Sequence, residues 1–82
     1  MDQEEQKQMK AEIVELSSKI KIASKEIKKE LMANINMEFF KAKSAIVVRD
    51  GGVGDRNAKE IAEAQMKVIL EESKKIVQKY NL

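Results

Sequence analysis

From Met9 onward the apolar positions fall at Met9, Ile13, Leu16, Ile20, Ala23 and Ile27, in alternating steps of four and three residues. That spacing keeps one side of an α-helix apolar, as in the seam of a coiled coil. After Ile27 the stripe continues through Leu31, Ile35, Phe39, Ala42 and Ile46. Its runs of four move the local repeat toward that of a straighter or right-handed path. The pattern predicts one long helix over residues 9–48, with its first turns reaching back to about residue 5. Residues 1–8 are polar, carry no apolar stripe and are expected to fray. The weak point of the long helix is 34–36, where Asn34 and Asn36 compete for backbone hydrogen bonds and invite a kink.

A second helix is expected over 57–80. Asn57-Ala58-Lys59-Glu60 has the spacing of a capping box, with Asn57 accepting from the backbone and Glu60 reaching back; Asp55 is the rival cap. Ala58, Ile61, Ala62, Met66, Val68, Ile69, Leu70, Ile76, Val77 and Tyr80 cover about half of its circumference. A helix with one neighbour needs less, so this one is expected to touch more than one partner. Between the helices lies a glycine-rich loop, 49–56. A short strand at "SAIVVRDGG" is the competing pattern, but no second strand-like run exists to pair with it.

The expected fold is therefore all-α, a helical hairpin forming a single domain. Lengths add a further step: about 44 residues of helix span about 65 Å, whereas about 24 residues span about 36 Å. A hairpin turning at Gly51 leaves the first half of the long helix uncovered. Met9, Ile13, Leu16 and Ile20 then require another copy of the chain, which predicts a homo-oligomer. Ile22, Phe40 and Val47 form a second apolar set opposite Leu31, and Phe40 joins the expected interface.

Composition narrows the chemistry. The 82 residues include no proline, cysteine or histidine, which removes disulfides and zinc sites built from cysteine and histidine. A chain this short buries little core, and oligomerisation is the usual remedy. No apolar run approaches a membrane span and the polar start is unlike a signal peptide, so the expected location is cytoplasmic. The net charge of +2 is too balanced to predict nucleic-acid binding by itself. Lys19, Lys21, Lys25, Lys28 and Lys29 form a basic run, but no aromatic residue is interleaved, and a solvated helix face accounts for it. Without a nucleophile–base pair or a metal cluster the chain is expected not to be an enzyme, with neither metal nor cofactor; Glu71-Glu72 and Asp50 with Asp55 are only isolated carboxylates.

One stretch concentrates unusual residues. "VRDGGVGDRNAKE", Val48 to Glu60, holds all three glycines and both arginines of a chain with fourteen lysines. As a turn it is complete, since Gly51 ends one helix and Asn57 starts the next. It also offers free backbone amides at a helix start, with Arg49, Arg56 and Lys59 nearby, and phosphate binds readily at such places. The candidate ligand-binding set is Arg49, Gly51, Gly52, Gly54, Arg56, Asn57 and Lys59. The expected function is a non-enzymatic, self-associating protein that sequesters a phosphate-bearing small ligand, such as a nucleotide, at loops between subunits. The alternative is an adaptor or inhibitor docking on another protein through exposed apolar faces, and non-specific nucleic-acid binding comes third.

Overall fold

The structure is a computed structural model that describes residues 2–82; Met1 lies outside the described residues. It consists of three α-helices, α1 (Gln3–Ile20), α2 (Lys25–Asp50) and α3 (Asp55–Tyr80), and no strand among the described residues. The all-helical class follows from a chain whose breakers are confined to 51–54. The count of helices differs from the expected two.

The long helix is divided, and the division falls at 21–24 rather than at 34–36. Ser24 is extended (φ −65°, ψ 161°) and its hydroxyl accepts from the Ile27 amide at 3.3 Å, which starts α2 as an N-cap. Asn34 and Asn36 sit inside α2 without interrupting it. The polar start expected to fray lies within α1 from Gln3 onward: the Asp2 carboxylate accepts from the Glu5 amide at 2.7 Å, and Glu4 and Glu5 lie favourably at the positive end of the helix. The stretch Ile46–Val48 remains helical, and α2 ends only at Gly51 (φ 74°).

Because α1 turns back at 21–24, it packs along α3, as does α2 on another side; α1 and α2 barely touch one another. Antiparallel pairing of α2 and α3 is marked by ion pairs at both ends, Glu30 with Lys79 and Arg49 with Glu60. Glu12 and Lys74, 3.4 Å apart, tie α1 to α3. Ile20, Leu31 and Ile76, one residue from each helix, are buried together, with Ile27, Ile35, Val77 and Leu82 against them. The wide apolar surface of α3 is thus explained by two neighbours within the same chain.

This arrangement corrects the basis for the expected interface on α1. Ile20 belongs to the core at 8% exposure, while Met9 lines a groove with Leu70 and Ile13 one with Met66 and Ile69 of α3. Met9, Ile13 and Ile20 of the seam thus lie against α3 of the same chain. The molecule is nevertheless open. Its Cα extents are 40 × 27 × 15 Å with a radius of gyration of 14.0 Å, against about 12 Å for a compact chain of this length. Its accessible surface is 5969 Å², roughly 1,000 Å² more than a compact monomer of its mass exposes.

With so few buried apolar side chains, single truncations at the triple contact are severe. Ile76→Ala is expected to lower unfolding free energy by about 2–5 kcal/mol, and Ser24→Ala by about 1 kcal/mol. Denaturant titration followed by far-UV circular dichroism measures both, and a neutral Ile76→Ala result contradicts the assignment of the core.

Candidate functional site

The connection between α2 and α3 is held from inside by Asn57. Its Oδ1 accepts from the Gly54 amide at 2.9 Å, and its Nδ2 donates to the Gly52 carbonyl at 2.7 Å. The side chain is fully enclosed at 2% exposure. Asn57 is therefore not the N-cap expected from the sequence. Gly54 occupies that place, its carbonyl accepting from the amides of Asn57 and Ala58, and Asn57 sits in the first turn with its side chain folded back over the loop. Gly51 (φ 74°) and Gly52 (φ 139°) take left-handed conformations that other residues adopt only under strain. Their amides both donate to the Val47 carbonyl, closing the end of α2.

Around this frame the two arginines separate. Arg49 donates to both oxygens of Asp50, through Nε at 2.8 Å and Nη2 at 2.9 Å. It also donates to both oxygens of Glu60, Nη1 to Oε1 at 3.1 Å and Nη2 to Oε2. Four of its five N–H groups are thereby engaged. The Arg49 guanidinium holds the Asp50 and Glu60 carboxyls below their ordinary range by hydrogen bonding, and those carboxylates in turn push the Arg49 pKa upward. Glu60, expected to reach back to a helix cap, instead clamps α3 to the end of α2. Arg49 is a clasp across the loop.

Arg56 has no such duty. It is exposed, and its side chain has no hydrogen bond or ion pair among the described residues. Together with Arg49, Asp50, Asn57 and residues 51–54 it lines a shallow pocket of about 410 Å³. The amides of Asp55 and Arg56, first in α3, have no partner within the helix, and the helix dipole adds positive potential there. Asp55 supplies one negative charge at the same end. Lys59 is exposed but does not line the pocket. The structure thus brings together Arg49, Gly51, Gly52, Gly54, Arg56 and Asn57, of which Arg56 alone presents an uncommitted cationic side chain.

A second polar cluster lies at the other end of the α2–α3 pair. Glu30 accepts from Lys79 Nζ at 2.6 Å and from the Tyr80 hydroxyl, and both bonds hold its carboxyl below the ordinary range, Lys79 contributing more. Lys79 is raised in turn, chiefly by Glu30. Spacing along one helix could not reveal a contact between residues 49 apart in sequence. Glu72 of α3 is buried and accepts from Lys75 at 3.2 Å, whereas Glu71 beside it is exposed. Among the described residues, no group of three carboxylates converges as a metal site needs, and no helix is long and apolar enough to cross a membrane. The basic run Lys19 to Lys29 now surrounds the reversal at 21–24, with Ile22 exposed between the lysines.

In comparisons with known proteins, no family model, no curated protein and no solved structure matches this chain.

Two outcomes check this geometry. Asn57→Ala strands the Gly54 amide and the Gly52 carbonyl and is expected to cost about 2–3 kcal/mol in denaturant titration; an effect within error removes Asn57 as the keystone of the loop. Asp50, Glu60 and Glu30 all have depressed carboxyl pKa values in the folded state. Their contribution is present above the unfolded carboxylate range and is lost as pH falls through the folded values. The thermal midpoint therefore declines on acidification below about pH 4, and less so in Glu60→Gln, which has already lost one of these groups.

Proposed function

We propose that the protein is a non-enzymatic binding protein that works as an assembly and holds a phosphate-bearing small ligand, such as a nucleotide, at the loop joining α2 and α3. The observation that carries this reading is Arg56: an unpaired guanidinium beside a helix start with free amides, on a loop already fixed by Asn57 and Arg49. Arginine grips phosphate with parallel hydrogen bonds, and the amides add directional donors at the positive end of α3. Preorganisation lowers the cost of binding, because neither loop nor helix start has to be ordered by the ligand. Arg49 acts here as a positioning residue, not as a ligand contact. The shallow pocket is open on one side, and a second copy is the natural means of closing it.

Docking on another protein is the second reading, favoured by the apolar side chains left in solvent: Ile22, Phe40 and Val48 are each more than two-thirds exposed. Nucleic-acid binding through the lysines around 21–24 is third, and its mark is affinity for generic DNA that disappears in moderate salt.

Isothermal titration with ATP, AMP, a cyclic mononucleotide and inorganic phosphate tests the first reading. Saturable binding of at least one nucleotide is expected, weakened by about 10- to 100-fold in Arg56→Ala, while circular dichroism shows the fold intact. Flat traces for the whole panel sink it.

A further inference from the structure

α1 and α2 both pack on α3 but barely touch one another, which leaves a trough between them along α3. Two grooves make it up. The first, of about 570 Å³, is lined by Ile13 and Val14 of α1 and by Ala62 and Met66 of α3, with Lys10 as its one charged member. The second, of about 420 Å³, lies among Ile20, Leu31, Met32 and Ile35, with Ser17, Lys21, Asn36 and Ser73 as polar members. Gln65 and Ile69 line both grooves, so the two are continuous. Each wall follows helical spacing, 10, 13, 14, 17 and 21 along α1 and its C-cap, and 62, 65, 66, 69 and 73 along α3. From Lys10 to Lys21, as from Ala62 to Ser73, the helix advances by about 16 Å.

We propose that this trough binds a single-chain amphiphile with a carboxylate head, such as a fatty acid, its head at the Lys21 end and its tail running over Ile69 toward Met66. Charge supports the sign of the head. None of the fourteen Asp and Glu side chains lines the trough, and Lys10 and Lys21 have no ion pair among the described residues. Ser73 supports its position. That residue is enclosed at 4% exposure, yet its hydroxyl has no hydrogen-bond partner among the described residues. No sealed polar side-chain atom lacks a partner, so the hydroxyl opens on the trough that Ser73 lines. Ser17, Lys21, Asn36 and Ser73 can all donate, and an ionised carboxylate only accepts. Size supports the tail: both grooves fall in the range of about 300–1,000 Å³ that suits small molecules. The trough's length of about 16 Å is that of one lipid tail, since two tails make a hydrocarbon core of about 30 Å. Val14 and Met32, 67% and 57% exposed, are apolar side chains that the tail covers, and methionine adapts readily to such a neighbour. Lys10 lays its stem beside the tail and keeps its ammonium in water. The trough shares no lining residue with the pocket at Arg56, so this is a second site, independent of the first.

Isothermal titration of the full chain with dodecanoate at neutral pH, below its micelle-forming concentration, is expected to show saturable binding at one site. Dodecyltrimethylammonium, with the same tail and the opposite charge, binds at least about 10-fold more weakly. Hexanoate, with half the tail, binds at least about 100-fold more weakly. Lys21→Ala weakens dodecanoate by about 10-fold, whereas Lys67→Ala, outside the trough, changes nothing. Ser73→Ala weakens it by about 5-fold and leaves the denaturant midpoint where it was, because the hydroxyl bonds nothing in the fold. Val14→Asp puts a charge in the path of the tail and weakens binding by at least about 10-fold, with the helical circular dichroism unchanged because the position is exposed. Flat traces with dodecanoate overturn the proposal, and so does binding that is indifferent to the charge of the head. A two-chain mass in light scattering that falls to one chain in Val14→Asp, with no dodecanoate bound, overturns it and gives the trough to a second copy.

Discussion

Ile20, Leu31 and Ile76 bring one side chain from each helix to a common point, and the arrangement of the molecule depends on that contact. α3 is the shared neighbour of both other helices, while α1 and α2 have almost no surface in common. A bundle of three mutually packed helices can bury each member on two sides. Here only α3 is covered in that way, which is why Leu70, Glu72, Ser73 and Ile76 are all buried in its second half. The open shape follows directly: two flanking helices, each covered along one side, expose their remaining surface to solvent.

That dependence makes the reversal at 21–24 the decisive local event, and it is the feature least visible in the sequence. Lys21, Ile22 and Ala23 carry no breaker, and Ser24 lacks the glutamate three residues on that would complete a capping box. What the sequence did contain was the change of spacing after Ile27. A straight helix with a new repeat and two helices with different registers produce the same list of apolar positions, and periodicity cannot distinguish them. Tertiary contact decides: folding back lets Met9, Ile13 and Ile20 bury against α3 within one chain, without waiting for a second. Asn34 and Asn36 show the converse, a local preference overridden because α2 packs continuously on α3.

The loop was more legible. Glycines at 51 and 52, a helix start near 55–57 and a concentration of charge all follow from composition and spacing. Sequence could not assign the partners, because each is made across the turn. Arg49 meets Glu60 eleven residues away, and Asn57 reaches back five residues to the Gly52 carbonyl. Two arginines that look equivalent in "VRDGGVGDRNAKE" accordingly have different surroundings. Arg49, last turn of α2, points at two carboxylates; Arg56, first turn of α3, points at none among the described residues.

This division of labour bears on what the loop can do. A flexible glycine turn with two free arginines would be a poor anion site, because closing it on a ligand would cost the conformational freedom of the whole segment. The structure removes that freedom beforehand by internal means: the enclosed Asn57 fixes the backbone, and the Arg49 clasp fixes the ends of α2 and α3 relative to each other. The pairing of Arg49 with Asp50 and Glu60 also limits the local excess of positive charge, which on the proposed reading leaves recognition to a single guanidinium and a few directed amides. Polyanions are attracted by diffuse charge in a salt-dependent way, whereas one cation beside oriented amides suits a compact phosphate. A site of this kind is shallow when formed by one chain, and its depth then depends on what lies across from it.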